Sequence, residues 1–93
     1  MIKHVVMWRY VNKNDIRIAR EQLESMKGRV SGMLSIETGV NILDSPASYD
    51  LVLITEHRDR AALDAYQEDP LHCEVKVVLG GLKAERTVVD YEV

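Results

Sequence analysis

Residues 4–10 read His4-Val5-Val6-Met7-Trp8-Arg9-Tyr10, and the fold turns on how this stretch is covered. A strand points successive side chains to opposite faces, so a half-buried strand alternates apolar with polar residues. Here both faces are apolar. Ile2, Val6, Trp8 and Tyr10 share one face, and Val5, Met7 and Val11 share the other. The stretches from Leu51 to Thr55 and from Val88 to Val93 have the same two-sided character. A chain of 93 residues with two helical regions has helix enough to cover one face of a sheet. The other face would carry about six large apolar side chains, each forfeiting roughly 1.5–3 kcal/mol in water. That sum rivals the whole stability of a small domain. A second copy of the chain is the simplest cover, so a homodimer is expected.

The rest of the chain places the remaining elements. The first strand runs from Lys3 to Val11, and Asn12 to Asp15 is a polar break with capping chemistry. Ile16, Ala19, Leu23, Met26 and Val30 then recur at helical spacing, with Arg17–Glu21 and Arg20–Glu24 on the solvated side. Ser35 to Ile42 alternates as a strand, Leu43 to Ser48 is a loop, and Tyr49 to His57 is a central strand. Asp59 caps a short helix. Asp69-Pro70 starts another, whose buried stripe is Leu71, Val75, Val78 and Leu79 and which ends at Gly80-Gly81. Lys83 to Val93 is the last strand. The order β-α-β-β-α-α-β contains a split β-α-β pair and implies an α+β fold. Its sheet has four antiparallel strands, with helices on one face. No repeat, linker or low-complexity tract divides residues 1–93, so one domain is expected.

Bulk properties narrow the function classes. A net charge of −3 argues against nucleic acid as a partner, which would call for a basic patch. No apolar run approaches the roughly 18 residues of a membrane span, and the first residues lack the apolar core of a secretory signal. Cys73 is the one cysteine and has no partner for a bridge. These features fit a cytoplasmic protein. No glycine-rich phosphate loop occurs, so no nucleotide cofactor is expected. The histidines at positions 4, 57 and 72 lack the close spacing of metal ligands, so no transition-metal site is expected either.

Four segments carry a family resemblance. They are Ile2 to Trp8, Tyr49 to Leu53, Asp59 to His72, and Glu85 to Glu92, in that order over nearly the full chain. Together they resemble the stress-responsive A/B-barrel, or Dabb, family. The resemblance implies a ferredoxin-like protomer and a dimeric α/β barrel, in agreement with the two-faced strands. It leaves the specific activity unassigned and allows a small-molecule ligand. One branch, the olivetolic acid cyclase type, closes a linear polyketide with a tyrosine and a histidine six positions later. Tyr66 and His72 stand at that spacing, and His4 also matches. The chain departs from the family's His-Pro-x-His by placing Asp69 before Pro70. The resemblance also allows, without requiring, a magnesium ion on backbone carbonyls of the turn near Val30 to Met33, and no metal or cofactor is expected from the residues themselves.

The residues themselves allow this chemistry without requiring it. His72 would sit in the first turn of a helix, whose partial positive charge disfavours imidazolium, while Asp69 favours it. A neutral imidazole there could serve as a general base. Tyr66 could donate a hydrogen bond to a carbonyl oxygen as charge grows on it. The plainer readings are a helix-capping histidine, a core tyrosine, a His4 bonded to a neighbouring element and a surface His57. Trp8 fills the core or the dimer seam, or else lines a pocket with His4. Two functions follow: a dimeric Dabb protein that binds a small ligand, or a cofactor-free lyase or cyclase acting on a carbonyl compound. Cofactor-independent monooxygenases use similar barrels, but no motif here selects that reaction. RNA binding through the sheet is disfavoured by the acidic balance and the absence of phenylalanine.

Overall fold

A computed structural model describes residues 1–93. The strands are β1 (Ile2–Tyr10), β2 (Ser35–Val40), β3 (Leu51–His57) and β4 (Ala84–Glu92). The helices are α1 (Asp15–Glu24), α2 (Arg60–Glu68) and α3 (Pro70–Gly80). The strands form one antiparallel sheet in the order β2-β3-β1-β4, as the β-α-β-β-α-α-β pattern requires. The most two-sided stretch, β1, lies inside this sheet between β3 and β4.

The register sorts the side chains by face. Val6 pairs with Leu53 and Val88, and Trp8 with Leu51 and Arg86, all on the side toward the helices. Ala19 and Leu23 of α1, Leu63 and Tyr66 of α2, and Val75 of α3 close over that side. The opposite side presents Val5, Met7, Val52, Ile54, Val89 and Tyr91, which the pairing brings together as one apolar patch. No helix of the protomer lies on it, and Met7, Val89 and Tyr91 are exposed. No helix is long and apolar enough to cross a membrane.

Two element ends and one buried helix face differ most from the sequence reading. The apolar stripe from Ile16 to Val30 is helical only as far as Glu24. Beyond it the backbone tightens into i→i−3 turns, Met26 N–H to Leu23 and Arg29 N–H to Met26, which still bury Met26 and Val30. Strand β2 stops at Val40; the Asn41 backbone N–H still reaches the Asp50 carbonyl, its side-chain amide donates to the Leu43 carbonyl, and Ile42 projects into solvent. In α3 the buried face is His72 and Val75, while Val78 is exposed. The helix is rotated so that its histidine, not Val78, faces inward.

The caps and surface pairs match the residues expected. Asp59 accepts from the Ala62 N–H and Asp69 from the Leu71 N–H, both at 2.9 Å. Arg17–Glu21 and Arg20–Glu24 form i,i+4 pairs. The start of α1 is different: Asn14 makes no side-chain cap, and Asn12 instead accepts from the Asn14 N–H. Gly32 is the tightest point of the chain. Its φ is +75°, and a Cβ there would lie 2.0 Å from the Ala62 carbonyl oxygen.

Gly32→Ala is therefore expected to cost more than ~2 kcal/mol, the left-handed penalty plus the clash with α2. Gly28→Ala, with φ +70° but open space around it, should cost only the left-handed penalty of about 1–2 kcal/mol. Denaturant unfolding of the two variants compares them directly, and equal losses would contradict the close approach of this turn to α2.

Candidate functional site

Four rings gather on the helix-facing side of the sheet. His4 comes from β1, His57 from the end of β3, Tyr66 from α2 and His72 from the first turn of α3. All four are buried. Tyr66 is the hub. Its ring stacks on His72 at 4.1 Å between centroids, with 21° between the planes. It meets His57 at 4.9 Å and the edge of His4 at 5.8 Å. The Asp69-Pro70 corner makes this stack, because it reverses the chain so that residues six apart face each other.

Hydrogen bonds fix the tautomers. A carbonyl can only accept, so the contact of His72 Nδ1 with the Tyr66 carbonyl at 2.9 Å places the proton on Nδ1. A neutral His72 then has a bare Nε2. The same logic puts the His57 proton on Nδ1, bonded to the Gly32 carbonyl at 2.6 Å, while its Nε2 accepts from the Thr55 hydroxyl at 2.7 Å. His57 is thus a buried strut joining β3 to the turn after α1, not a surface residue. Its parity with Leu51, Leu53 and Thr55 along the strand was the available signal, and the neighbouring charges of Arg58 to Arg60 masked it. His4 Nδ1 bonds the carboxylate of Asp90, its partner across the β1–β4 ladder. Sequence reasoning did not single out Asp90, because the pairing of two strands 86 residues apart has no local signature.

Burial sets the charge states. Desolvation lowers the His72 pKa to about 4, outweighing the favourable Tyr66 carbonyl and the small effect of Asp69. The two opposing influences read from the sequence, helix dipole and Asp69, are both secondary to the dry surroundings. Desolvation also lowers His57. The Tyr66 phenol is pushed up to about 12 by burial. Its hydroxyl makes no well-formed hydrogen bond; the oxygen of the Thr55 hydroxyl, which donates to His57, lies nearest to it as an acceptor. Asp69, in place of the family's histidine, is held below the usual carboxylate range by the Ser31 N–H and then by the Leu71 N–H, so it works as a cap and a tether.

His4, Trp8, Tyr66 and His72 all line one half-open cavity of about 460 Å³ between α3 and the β1–β4 half of the sheet. This is within the range of small-molecule sites. Leu23, Leu53, Leu79 and Leu82 supply apolar wall. Gln67, Lys76 and Arg86, which the sequence reading did not single out, complete the polar part. A wider and more open depression of about 600 Å³ lies between α2 and the end of β4, but none of His4, Tyr66 and His72 lines it. No three His, Cys, Asp or Glu side chains converge as metal ligands. In the turn from Val30 to Met33 the Gly32 carbonyl is taken by His57.

A ferredoxin-like sheet with one bare apolar face, and a ring-lined cavity under its helices, defines the class. The chain belongs to the Stress responsive A/B Barrel Domain (Dabb) family, whose model matches residues 2–93. No curated protein matches it in sequence. Among solved structures, a dimeric ferredoxin-like protein of unknown function from Jannaschia sp. CCS1 is 25% identical. The match covers 99% of this chain and 98% of that one, with a TM-score of 0.77. A dimeric ferredoxin-like protein of unknown function from Thermobifida fusca superposes at a TM-score of 0.85, with 17% identity over 99% and 90% of the two chains. A hydroxynitrile lyase from Passiflora edulis reaches 0.82, with 13% identity over 99% and 92%. These likenesses establish the fold.

The His72 environment predicts an acid-side loss of stability. A histidine titrating near 6.5 when unfolded and about 4 when folded binds protons more readily in the unfolded chain between those values. Stability is whole above pH 6.5 and falls as pH drops toward 4, by about 3 kcal/mol from this group. His72→Phe keeps the stack but does not titrate, so its stability should fall less over that window. Thermal melts from pH 7 to 4 measure this; equal slopes for variant and wild type would disprove it.

Proposed function

We propose that residues 1–93 form a single domain that works as a cytoplasmic homodimer and binds a small molecule in the cavity beside Tyr66 and His72. One observation carries the reading: His4, Trp8, Tyr66 and His72, each singled out for chemistry or pocket lining, surround the same half-open space. The bare phenol of Tyr66 and the bare Nε2 of His72 supply an unpaired donor and an unpaired acceptor. Buried polar groups without partners are costly, so a ligand that satisfies both gains affinity. A carbonyl compound accepts from the phenol, and a hydroxyl or enol donates to the imidazole.

The dimer follows from the bare sheet face, with Val5, Met7, Val52, Ile54, Val89 and Tyr91 of each copy packed against the other's. The dimeric relatives support this. Ile54→Asp places a carboxylate at the centre of that seam, where an unpaired charge loses its hydration. The variant is expected to be monomeric at micromolar concentration by light scattering and less stable than wild type. A dimer of unchanged affinity, or a well-folded wild-type monomer, would refute the sheet-to-sheet arrangement.

The Tyr66–His72 stack also supports a second reading, a cofactor-free lyase or cyclase. His72 Nε2 would take a proton from the carbon beside a carbonyl, with Tyr66 hydrogen-bonding the oxygen as negative charge moves onto it. The carbanion would add to a second carbonyl of the same molecule, and the proton would return to the new alkoxide. A histidine titrating at about 4 is fully available as an acceptor at pH 7, but holding a proton there costs on the order of 4 kcal/mol. That cost ranks binding ahead of catalysis. Native mass spectrometry and Trp8 fluorescence with linear β-diketones test the binding reading, which predicts a saturable quench abolished by bulky substitution of Ala84 at the cavity. In the catalytic reading, His72→Ala and Tyr66→Phe each lower turnover of a linear poly-β-keto substrate about a hundredfold. Unaltered turnover in both variants would eliminate that reading.

A further inference from the structure

The charges around the cavity differ in balance from those of the chain. The protein has 15 acidic and 12 basic residues, yet the cavity lining holds Arg86 and Lys76 and no Asp or Glu. Arg86 lies on β4 opposite Trp8, on the helix-facing side. The same side of β4 presents Asp90, which is committed to His4. Arg9, Arg17, Arg20 and Arg60 each hold a carboxylate of the protein. Arg86 has no ion pair and no hydrogen bond to any group of the chain. Arg86 is exposed at the rim of the cavity, and its charge reaches far enough to favour ionisation of the Tyr66 phenol. Lys76, from α3 on the opposite lip, spends one of its three donors on the Gln67 carbonyl at 3.2 Å.

We propose that the ligand of this cavity is an organic acid whose carboxylate seats on Arg86, with Lys76 across the mouth, and whose apolar body runs inward along Trp8, Leu79 and Leu82. This rests on the cavity being the ligand site and adds the chemical class of the ligand. The planar guanidinium matches a carboxylate in two parallel bonds, and half-enclosure strengthens them over a fully solvated pair. The apolar wall suits a hydrocarbon chain or ring, and a polar carbonyl further along it would reach Tyr66. At an exposed position on the open edge strand, an unpaired arginine contributes nothing to the core. Arg29 and Arg58 also lack an ion pair, but Arg86 is the one that lines this cavity, where an anion entering from solvent would meet it.

Octanoate and octanamide, identical but for the charge, separate the possibilities when titrated against the full-length protein with Trp8 fluorescence or calorimetry. Octanoate is expected to bind at least tenfold more tightly than octanamide and to weaken as salt rises, with octanamide indifferent to salt. Arg86→Gln should cost octanoate about tenfold to a hundredfold and leave octanamide unchanged, with an unaltered melting temperature because the residue is exposed. Lys76→Gln should cost octanoate less. Equal binding of acid and amide, or an equal loss of both in Arg86→Gln, overturns the assignment of an acid while leaving the cavity as a ligand site. Binding of neither compound overturns the cavity reading and this assignment with it.

Discussion

One imbalance governs this protein: its sheet is apolar on both sides, and the chain supplies helices for one. The inner side is covered by α1, α2 and α3 and holds the core around Val6, Leu23, Leu53 and Tyr66. The outer side gathers Val5, Met7, Val52, Ile54, Val89 and Tyr91 on neighbouring strands with no cover. Hydrophobic burial is the dominant favourable contribution to folding, so a face of this kind shapes the assembly as strongly as the core shapes the protomer. The same imbalance locates the cavity. The helical layer sits over β1 and β3 and leaves the edge strand β4 open, so the space between α3 and β4 is neither core nor solvent.

The site uses that intermediate position. Tyr66 and His72 are buried deeply enough that desolvation dictates their protonation, neutral phenol and neutral imidazole at pH 7. Both residues also line the half-open cavity, although the Tyr66 hydroxyl itself is fully buried. His57 and Thr55 brace Tyr66 from behind, and Asp90 fixes His4 from the edge strand. The Asp69 carboxylate, which joins the turn after α1 to the first turn of α3, holds the corner that stacks the two rings. Pre-organisation of this kind would suit the binding and the proton-transfer readings alike.

Much of this was legible along the chain. Apolar residues on both faces marked β1 and β3 as strands, and clean alternation marked β2. Asp59 and Asp69-Pro70 fixed the helix starts, and the family resemblance singled out Tyr66 and His72. Family membership then accounted for the order of the whole. The errors have a common origin. His57 was misread because the charged residues beyond it dominate its neighbourhood in sequence, while its strand parity places it inward. The end of α1 was misplaced because Met26 and Val30 keep helical spacing even though the backbone has narrowed to i→i−3 turns.

Local periodicity and the tally of apolar faces therefore establish the elements, their order and the need for a partner, because these depend on side chains a few positions apart. The cavity is different in kind. His4 with Asp90, Tyr66 with His57, and Arg86 opposite Trp8 are contacts between elements far apart in sequence. Whether Arg86 meets a carboxylate of the chain or stands free is decided by the register of β1 against β4 and the rotation of α3. Those depend on how the whole core packs, and no short segment carries that information.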